Sequence, residues 1–185
     1  ADPIVATAAH AGEPHTRIPP PARLFGAERR NSAGLNLADD RVMARLLAAM
    51  QDAAAKPVTA RPIVAGKAVA GEAVDSVNPA DGSHRVGTCP VATAGLVDDA
   101  ISSASAAQPR WDRTAAARRA EILEQAADLY ERHRPELLSL CVSEAGKTLP
   151  DAIAELREAV DFLRYSAAEA RKRFGDPAQL PGPTG

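Results

Sequence analysis

The chain has 185 residues, room for one ordinary domain or a domain with a linker, and carries 22 Lys and Arg against 24 Asp and Glu. That near-balance excludes a surface dominated by phosphate neutralisation, so no nucleic-acid partner is expected for this segment, and no run approaches the ~18 apolar residues of a membrane span. Aromatics make up only 3% against 45% hydrophobic residues, so Ala, Leu, Val and Ile must build the core, and two cysteines fit a reducing, cytoplasmic compartment better than a disulfide framework.

The chain opens Ala1-Asp2-Pro3, without an initiator Met or a signal-peptide layout, and stops at Gly182-Pro183-Thr184-Gly185, which reads as a loop. We therefore expect a piece of a longer polypeptide. In residues 1–40, Pro3, Pro14 and Pro19-Pro20-Pro21 keep the backbone extended and remove amide donors, which predicts a solvated linker. Within it, Leu24-Phe25-Gly26-Ala27-Glu28-Arg29-Arg30-Asn31-Ser32 is either a cluster that docks on a neighbour or a charged loop.

From Asp39 to Ala55, Val42, Leu46, Ala49 and Met50 recur at helical spacing, with Asp39 or Asp40 to cap the start and Pro57 to end it. The period then changes. Ile63-Val64, Lys67–Val69, Ala73–Val77 and Arg85–Pro90 read as short strands separated by Gly66, Gly71 and the turn Asn78–Gly82, a small antiparallel β element. After Ala92, Leu96, Ala100 and Ser103 or Ala104 begin an amphipathic helix that Pro109 is expected to close. Arg113 to His133 is the clearest helix. Ala116, Ala120, Leu123, Ala127 and Tyr130 form its apolar stripe, with Arg118, Glu121, Glu124 and Asp128 largely away from it. Pro135 fits the first turn of the next helix, which turns Leu137, Leu138 and Cys141 inward. After Gly146 a long helix is expected from about Pro150 to Phe174, with Ile153, Leu156, Val160, Leu163, Ala167 and Ala170 on one face. Arg157 with Asp161 and Glu169 with Arg173 are placed as i,i+4 pairs on its solvent side, and Gly175-Asp176-Pro177 stops it.

Chemistry is sparse. Gly146-Lys147-Thr148 invites a phosphate-loop reading, but Cys141 stands where that motif needs its first Gly, and the preceding segment is helical; a helix end followed by a new start is expected instead. Cys89 and Cys141 read as packing residues, since neither has an evident activating base. His10, His15, His84 and His133 show no metal-ligand spacing, so no metal is expected. On the long helix Glu158, Phe162 and Tyr165 share a stripe offset from the aliphatic face, which either lines a pocket or is a semi-buried aromatic edge beside a solvated Glu. These readings end at an Ala-rich helical piece with a β appendage, one layer of a larger α/β domain.

Val77-Asn78-Pro79-Ala80-Asp81-Gly82, Ala106-Ala107-Gln108-Pro109-Arg110-Trp111 and Glu144-Ala145-Gly146-Lys147-Thr148 together resemble the N-terminal part of the aldehyde dehydrogenase superfamily. The helix from Ala152 to Tyr165 is similar to its glutamate-γ-semialdehyde dehydrogenase branch. Arg17–Pro21 and Leu24–Gly34 resemble the segment joining the two catalytic domains of the proline utilisation A family. The resemblance implies an α/β, Rossmann-type parent domain. It divides the chain into a barrel-domain tail (1–16), an inter-domain linker with one helix (17–61) and the start of the dehydrogenase domain (62–185).

That family oxidises proline to pyrroline-5-carboxylate with FAD and glutamate-γ-semialdehyde to glutamate with NAD+, so the implied cofactors, NAD and FAD, belong to the full-length protein. Implied partners are the rest of the polypeptide, proline, the semialdehyde and further copies in a homo-oligomer; quinone or membrane contact would be made through the full-length protein. The superfamily's nucleophile cysteine, Pro-Trp-Asn-Phe segment and glycine-rich dinucleotide turn are absent from the chain, so no catalytic or cofactor-binding residue is assigned and the isolated chain is expected to be inert. Glu158 is the one position carried over, as a residue near the aldehyde pocket, with Phe162 as a wall of the same pocket. The competing reading is a non-catalytic helical interaction or regulatory domain derived from an aldehyde dehydrogenase.

Overall fold

The structure, a computed structural model, describes residues 17–56, 58–176 and 182. The expected tail at 1–16 and the stops at Pro57 and Pro177 lie outside the described residues.

Helix α1 spans Asp40–Ala54, and the Asp39 side chain caps it by accepting from the amides of Arg41 and Val42. Leu46 and Met50 are its buried residues. Two short strands, β2 (Ile63–Val64) and β3 (Lys67–Ala68), form a hairpin around Ala65 and Gly66, both at positive φ, as a tight hairpin turn demands. Strands β4 (Glu72–Asn78) and β5 (Asp81–Val91) pair antiparallel.

The expected antiparallel element is present, and one further strand joins it in parallel: β1, only Val58–Thr59, adds to β5 with Val58 opposite Gly87. Two residues are too few to show a period, which is why the strand escaped notice. Gly87 makes the pairing feasible, since a Cβ there would lie 2.5 Å from the Val58 carbonyl oxygen.

Helix α2 spans Ala94–Asp112 and runs through Pro109 instead of ending there. Pro109 lacks the amide that would bond the Ser105 carbonyl one turn back, yet its fixed φ is helical and only three residues follow it in the helix. The last carbonyls are satisfied from outside the helix: the Thr114 amide donates to the Trp111 carbonyl (3.0 Å) and its Oγ1 to that of Arg110 (3.3 Å). Leu96, Ala100 and Ser103 are half-buried as expected, but no α2 residue is fully buried.

Helices α3 (Ala116–Arg132), α4 (Arg134–Ser143) and α5 (Leu149–Phe174) complete the fold. α4 begins with Pro135 in its first turn and buries Leu138 completely. A core forms where Leu46 and Met50 of α1, Leu138 of α4, and Ala152, Ile153 and Leu156 of α5 meet, with Cys141 packed at its edge. α3 lies antiparallel along α5, as the pairs Glu124–Arg171 and Glu131–Arg164 show. The residues buried in these two helices toward that seam are small: Ala116, Ala120 and Ala127 on α3, Val160 and Ala167 on α5. Two details differ from expectation. Tyr130 is exposed, and Glu124 and Asp128 are not simply solvated, because each pairs with an α5 arginine.

Candidate functional site

Glu158, Phe162 and Tyr165 do share one face of α5, and all three are exposed, Phe162 at 59% and Tyr165 at 45%. None of the three lines the cleft that opens between α1, β5 and α4. This face is an open aromatic edge with a carboxylate. Its one covered flank is Tyr165, where the Arg29 guanidinium stands 5.7 Å from the ring centroid while stacking on Phe25 at 3.6 Å.

Arg29 belongs to the segment expected to be a solvated linker. Residues 17–24 are indeed exposed, but residues 29–37 dock: of the two readings of the Leu24–Ser32 cluster the docking one holds for Arg29–Ser32, and the solvated-linker expectation is corrected there. Asn31 is buried, Ser32 is 1% exposed, and Leu35 and Leu37 pack against the helical core. The cause is a set of donors and acceptors on α3 and α5. Asp161 accepts from the Ser32 amide (2.7 Å) and from its Oγ (2.6 Å). Arg157 donates from Nε to the same Oγ at 3.2 Å. Arg157 and Asp161 are therefore not a solvent-side pair with each other; both bond the linker. Arg164, 4% exposed, donates to the Asn31 carbonyl (3.3 Å), to Asp128 (2.9 Å) and to Glu131 (2.8 Å). Arg30 reaches the same two carboxylates at 2.7 and 3.0 Å, and the Ala33 amide donates to Glu131 at 2.8 Å.

The electrostatics follow from these partners. Burial alone would raise the Glu131 carboxyl, but hydrogen bonds from Arg164 and the Ala33 amide, with the Arg164 and Arg30 charges, bring it below its ordinary value. Glu124 is lowered by its two-pronged hydrogen bond with Arg171, at 2.5 and 2.7 Å.

The Gly146-Lys147-Thr148 stretch is structural, as expected. Gly146 adopts φ +65° at the end of α4, and the Thr148 side chain caps α5 by accepting from the Asp151 amide. Lys147 is engaged by Glu155 at 2.6 Å, a hydrogen bond that raises its pKa. Cys141 sits at the core as expected, but Cys89, expected to pack, is exposed on β5. A cleft of about 340 Å³ opens between α1, β5 and α4, lined by Lys56, Val58, His84, Val86, Glu136 and Leu140. It combines charges of both signs with apolar walls and contains no thiol, so it lacks the nucleophile that aldehyde oxidation requires.

Sequence reasoning missed the residues around Asp161 and Arg164. One signal was available. Arg164 interrupts the apolar face between Val160 and Ala167, and a charge in that position requires a buried partner.

The fold and these helices define the class. The aldehyde dehydrogenase family model matches residues 66–184, and the chain belongs to that family. The chain is 40% identical over 171 residues to the bifunctional protein PutA of Klebsiella aerogenes, covering 92% of this chain and 13% of that protein. It is 38% identical to the 1-pyrroline-5-carboxylate dehydrogenase of Anoxybacillus flavithermus over 59% of this chain and 22% of that protein. The crystal structure of proline utilization A from Bdellovibrio bacteriovorus inactivated by N-propargylglycine superposes with a TM-score of 0.73 and 30% identity, over 77% of this chain and 15% of that one. The chain thus spans a small part of the relatives it matches.

Proposed function

We propose that this chain is the inter-domain linker (17–61) and the first part of the aldehyde dehydrogenase domain (62–185) of a cytoplasmic, bifunctional proline-catabolic enzyme. The observation that carries the reading is the extent of similarity: the match to PutA runs over 92% of the chain, against 59% for the single-function dehydrogenase. In the whole protein, proline is oxidised to pyrroline-5-carboxylate with FAD, and glutamate-γ-semialdehyde to glutamate with NAD+.

The residues of this chain do not fit either cofactor. Among the described residues no glycine-rich turn leads from a strand into a helix, and the Gly-Lys-Thr stretch caps α5. Hydride transfer and the nucleophile therefore come from other parts of the parent polypeptide. The contribution of this chain is to orient the aldehyde substrate. Glu158, on the open face of α5, supplies a carboxylate for the amino group of the semialdehyde, and Phe162 supplies an apolar wall.

Two measurements test this. The encoding reading frame should continue past Gly185 into a Pro-Trp-Asn-Phe segment and a nucleophile cysteine. The isolated chain should neither reduce NAD+ with glutamate-γ-semialdehyde nor reduce dye with proline. A stop codon after Gly185, or turnover above a heat-killed control, would overturn the reading, the first in favour of a non-catalytic interaction domain.

A further inference from the structure

Glu158 lies between two residues held by one linker hydroxyl. Ser32 Oγ donates to Asp161 at 2.6 Å and accepts from Arg157 Nε at 3.2 Å, while the Ser32 amide donates to the other Asp161 oxygen at 2.7 Å. The Arg29 Nη1 stands 3.8 Å from Asp161. The Asn31 amide nitrogen, in the orientation that satisfies both its ends, reaches the two carboxylate oxygens at 3.1 and 3.2 Å. A carboxylate on an open helix face ordinarily changes rotamer freely in water. Asp161 instead meets several donors from one short segment whose Ser32 is fully buried, so its rotamer and the azimuth of the helix are set together.

We infer that Ser32 positions the turn of α5 that carries Glu158 and Phe162, acting through Asp161 and Arg157, and that the linker is thereby part of the scaffold of the aldehyde site. The inference rests on the reading of Glu158 as substrate-facing. Ser32 precedes the matched span 66–184, so this support comes from outside the segment that defines the family. A positioning role matters because orientation errors of about 1 Å cost up to two orders of magnitude in rate. Neither Ser32 nor Asp161 touches the substrate in this scheme. Their effect is read in how well Glu158 is aimed.

The test uses the full-length parent polypeptide with Ser32→Ala, Asp161→Asn and Glu158→Gln. Steady-state NAD+ reduction is measured against glutamate-γ-semialdehyde and against NAD+, with proline oxidation and the melting temperature as controls. Ser32→Ala is expected to lower kcat/KM for the semialdehyde by about tenfold, chiefly through KM, with Asp161→Asn moving the same way. The KM for NAD+ and proline oxidation should stay within about twofold of the parent. A silent Ser32→Ala and Asp161→Asn beside an impaired Glu158→Gln overturns the positioning role alone. A silent Glu158→Gln overturns the pocket reading, and this inference with it. A parallel loss in every kinetic constant together with the melting temperature marks a general structural role and also overturns it.

Discussion

Arg164 is the residue whose removal should say most about why the linker docks. Arg164→Met keeps an unbranched apolar stem in a helix-compatible side chain, so little cavity is created. It deletes four hydrogen bonds: two short ones to Asp128 (2.9 Å) and Glu131 (2.8 Å), and two long ones to Glu131 (3.4 Å) and the Asn31 carbonyl (3.3 Å). Hydrogen bonds to charged groups contribute about 1.5–3 kcal/mol each, and breaking a fully buried ion pair costs about 3–5 kcal/mol. Here the loss is smaller. Arg30 still reaches both carboxylates, Glu131 keeps the Ala33 amide, and Asp128 is 55% exposed, so neither anion is orphaned. We expect a destabilisation of about 2–3 kcal/mol near neutral pH.

The pH dependence supplies a second check. Glu131 has a folded pKa below its ordinary 4.5 despite burial, through Arg164, the Ala33 amide and Arg30. A depressed acid stabilises the fold fully above its unfolded pKa, and the contribution disappears as pH falls through the folded value. The variant has already lost the Arg164 part. Its gap from the parent chain should therefore be widest near neutral pH and narrow as pH falls below about 4.5. Urea denaturation followed by circular dichroism at several pH values measures this. A gap under about 1 kcal/mol at neutral pH, or one that widens toward acid, would refute the reasoning.

Leu138→Ala, at a fully buried site in the α1–α4–α5 core, should cost about 2–5 kcal/mol in the same denaturation assay, whereas Leu129→Ala on an exposed face should cost well under half of that. Thr148→Ala removes the cap of α5 and should cost about 1 kcal/mol. Gly87→Ala should detach β1 from β5, because the new Cβ meets the Val58 carbonyl at 2.5 Å; hydrogen exchange should show faster exchange at the Ala60 amide, which donates to Thr88. In the full-length parent, Glu158→Gln should lower kcat/KM for the semialdehyde by about 1–3 kcal/mol of transition-state stabilisation and leave proline oxidation unchanged.

The helices were legible because their causes are local. Asp39 caps α1 from one residue away, and the long apolar face of α5 over Ile153, Leu156, Val160 and Ala167 repeats often enough to place its ends within a residue of Leu149 and Phe174. The hairpin at Ala65-Gly66 and the β4–β5 pair likewise followed from turn residues and alternation. What failed was local evidence overruled by context. Pro109 is a helix breaker by propensity, but the helix runs on past it to Asp112, where Thr114 donates to the Trp111 and Arg110 carbonyls and closes the end.

The linker illustrates the harder limit. Its prolines and charges describe a chain that cannot bury enough apolar area by itself to offset ordering entropy of ~1–2 kcal/mol per residue, and for residues 17–24 exposure follows. For residues 29–37 the compensation lies about 100 to 130 positions away, on Asp128, Glu131, Asp161 and Arg164. A window that reads Arg29-Arg30-Asn31-Ser32 as solvated, and a second window that reads Arg157 and Asp161 as a solvent-side pair, are each reasonable in isolation. Each leaves polar groups that water would satisfy in a free segment. Only Arg164 breaks the symmetry, because a guanidinium on the buried face between Val160 and Ala167 has no access to water and must find carboxylates. Once Asp128 and Glu131 are fixed there, their remaining lone pairs are open to donors, and the linker presents Arg30 and the Ala33 amide to them. Arg164 thus holds the Asn31 carbonyl and fixes the two carboxylates that receive Arg30 and the Ala33 amide, while Asp161 and Arg157 hold Ser32 beside the turn that carries Glu158.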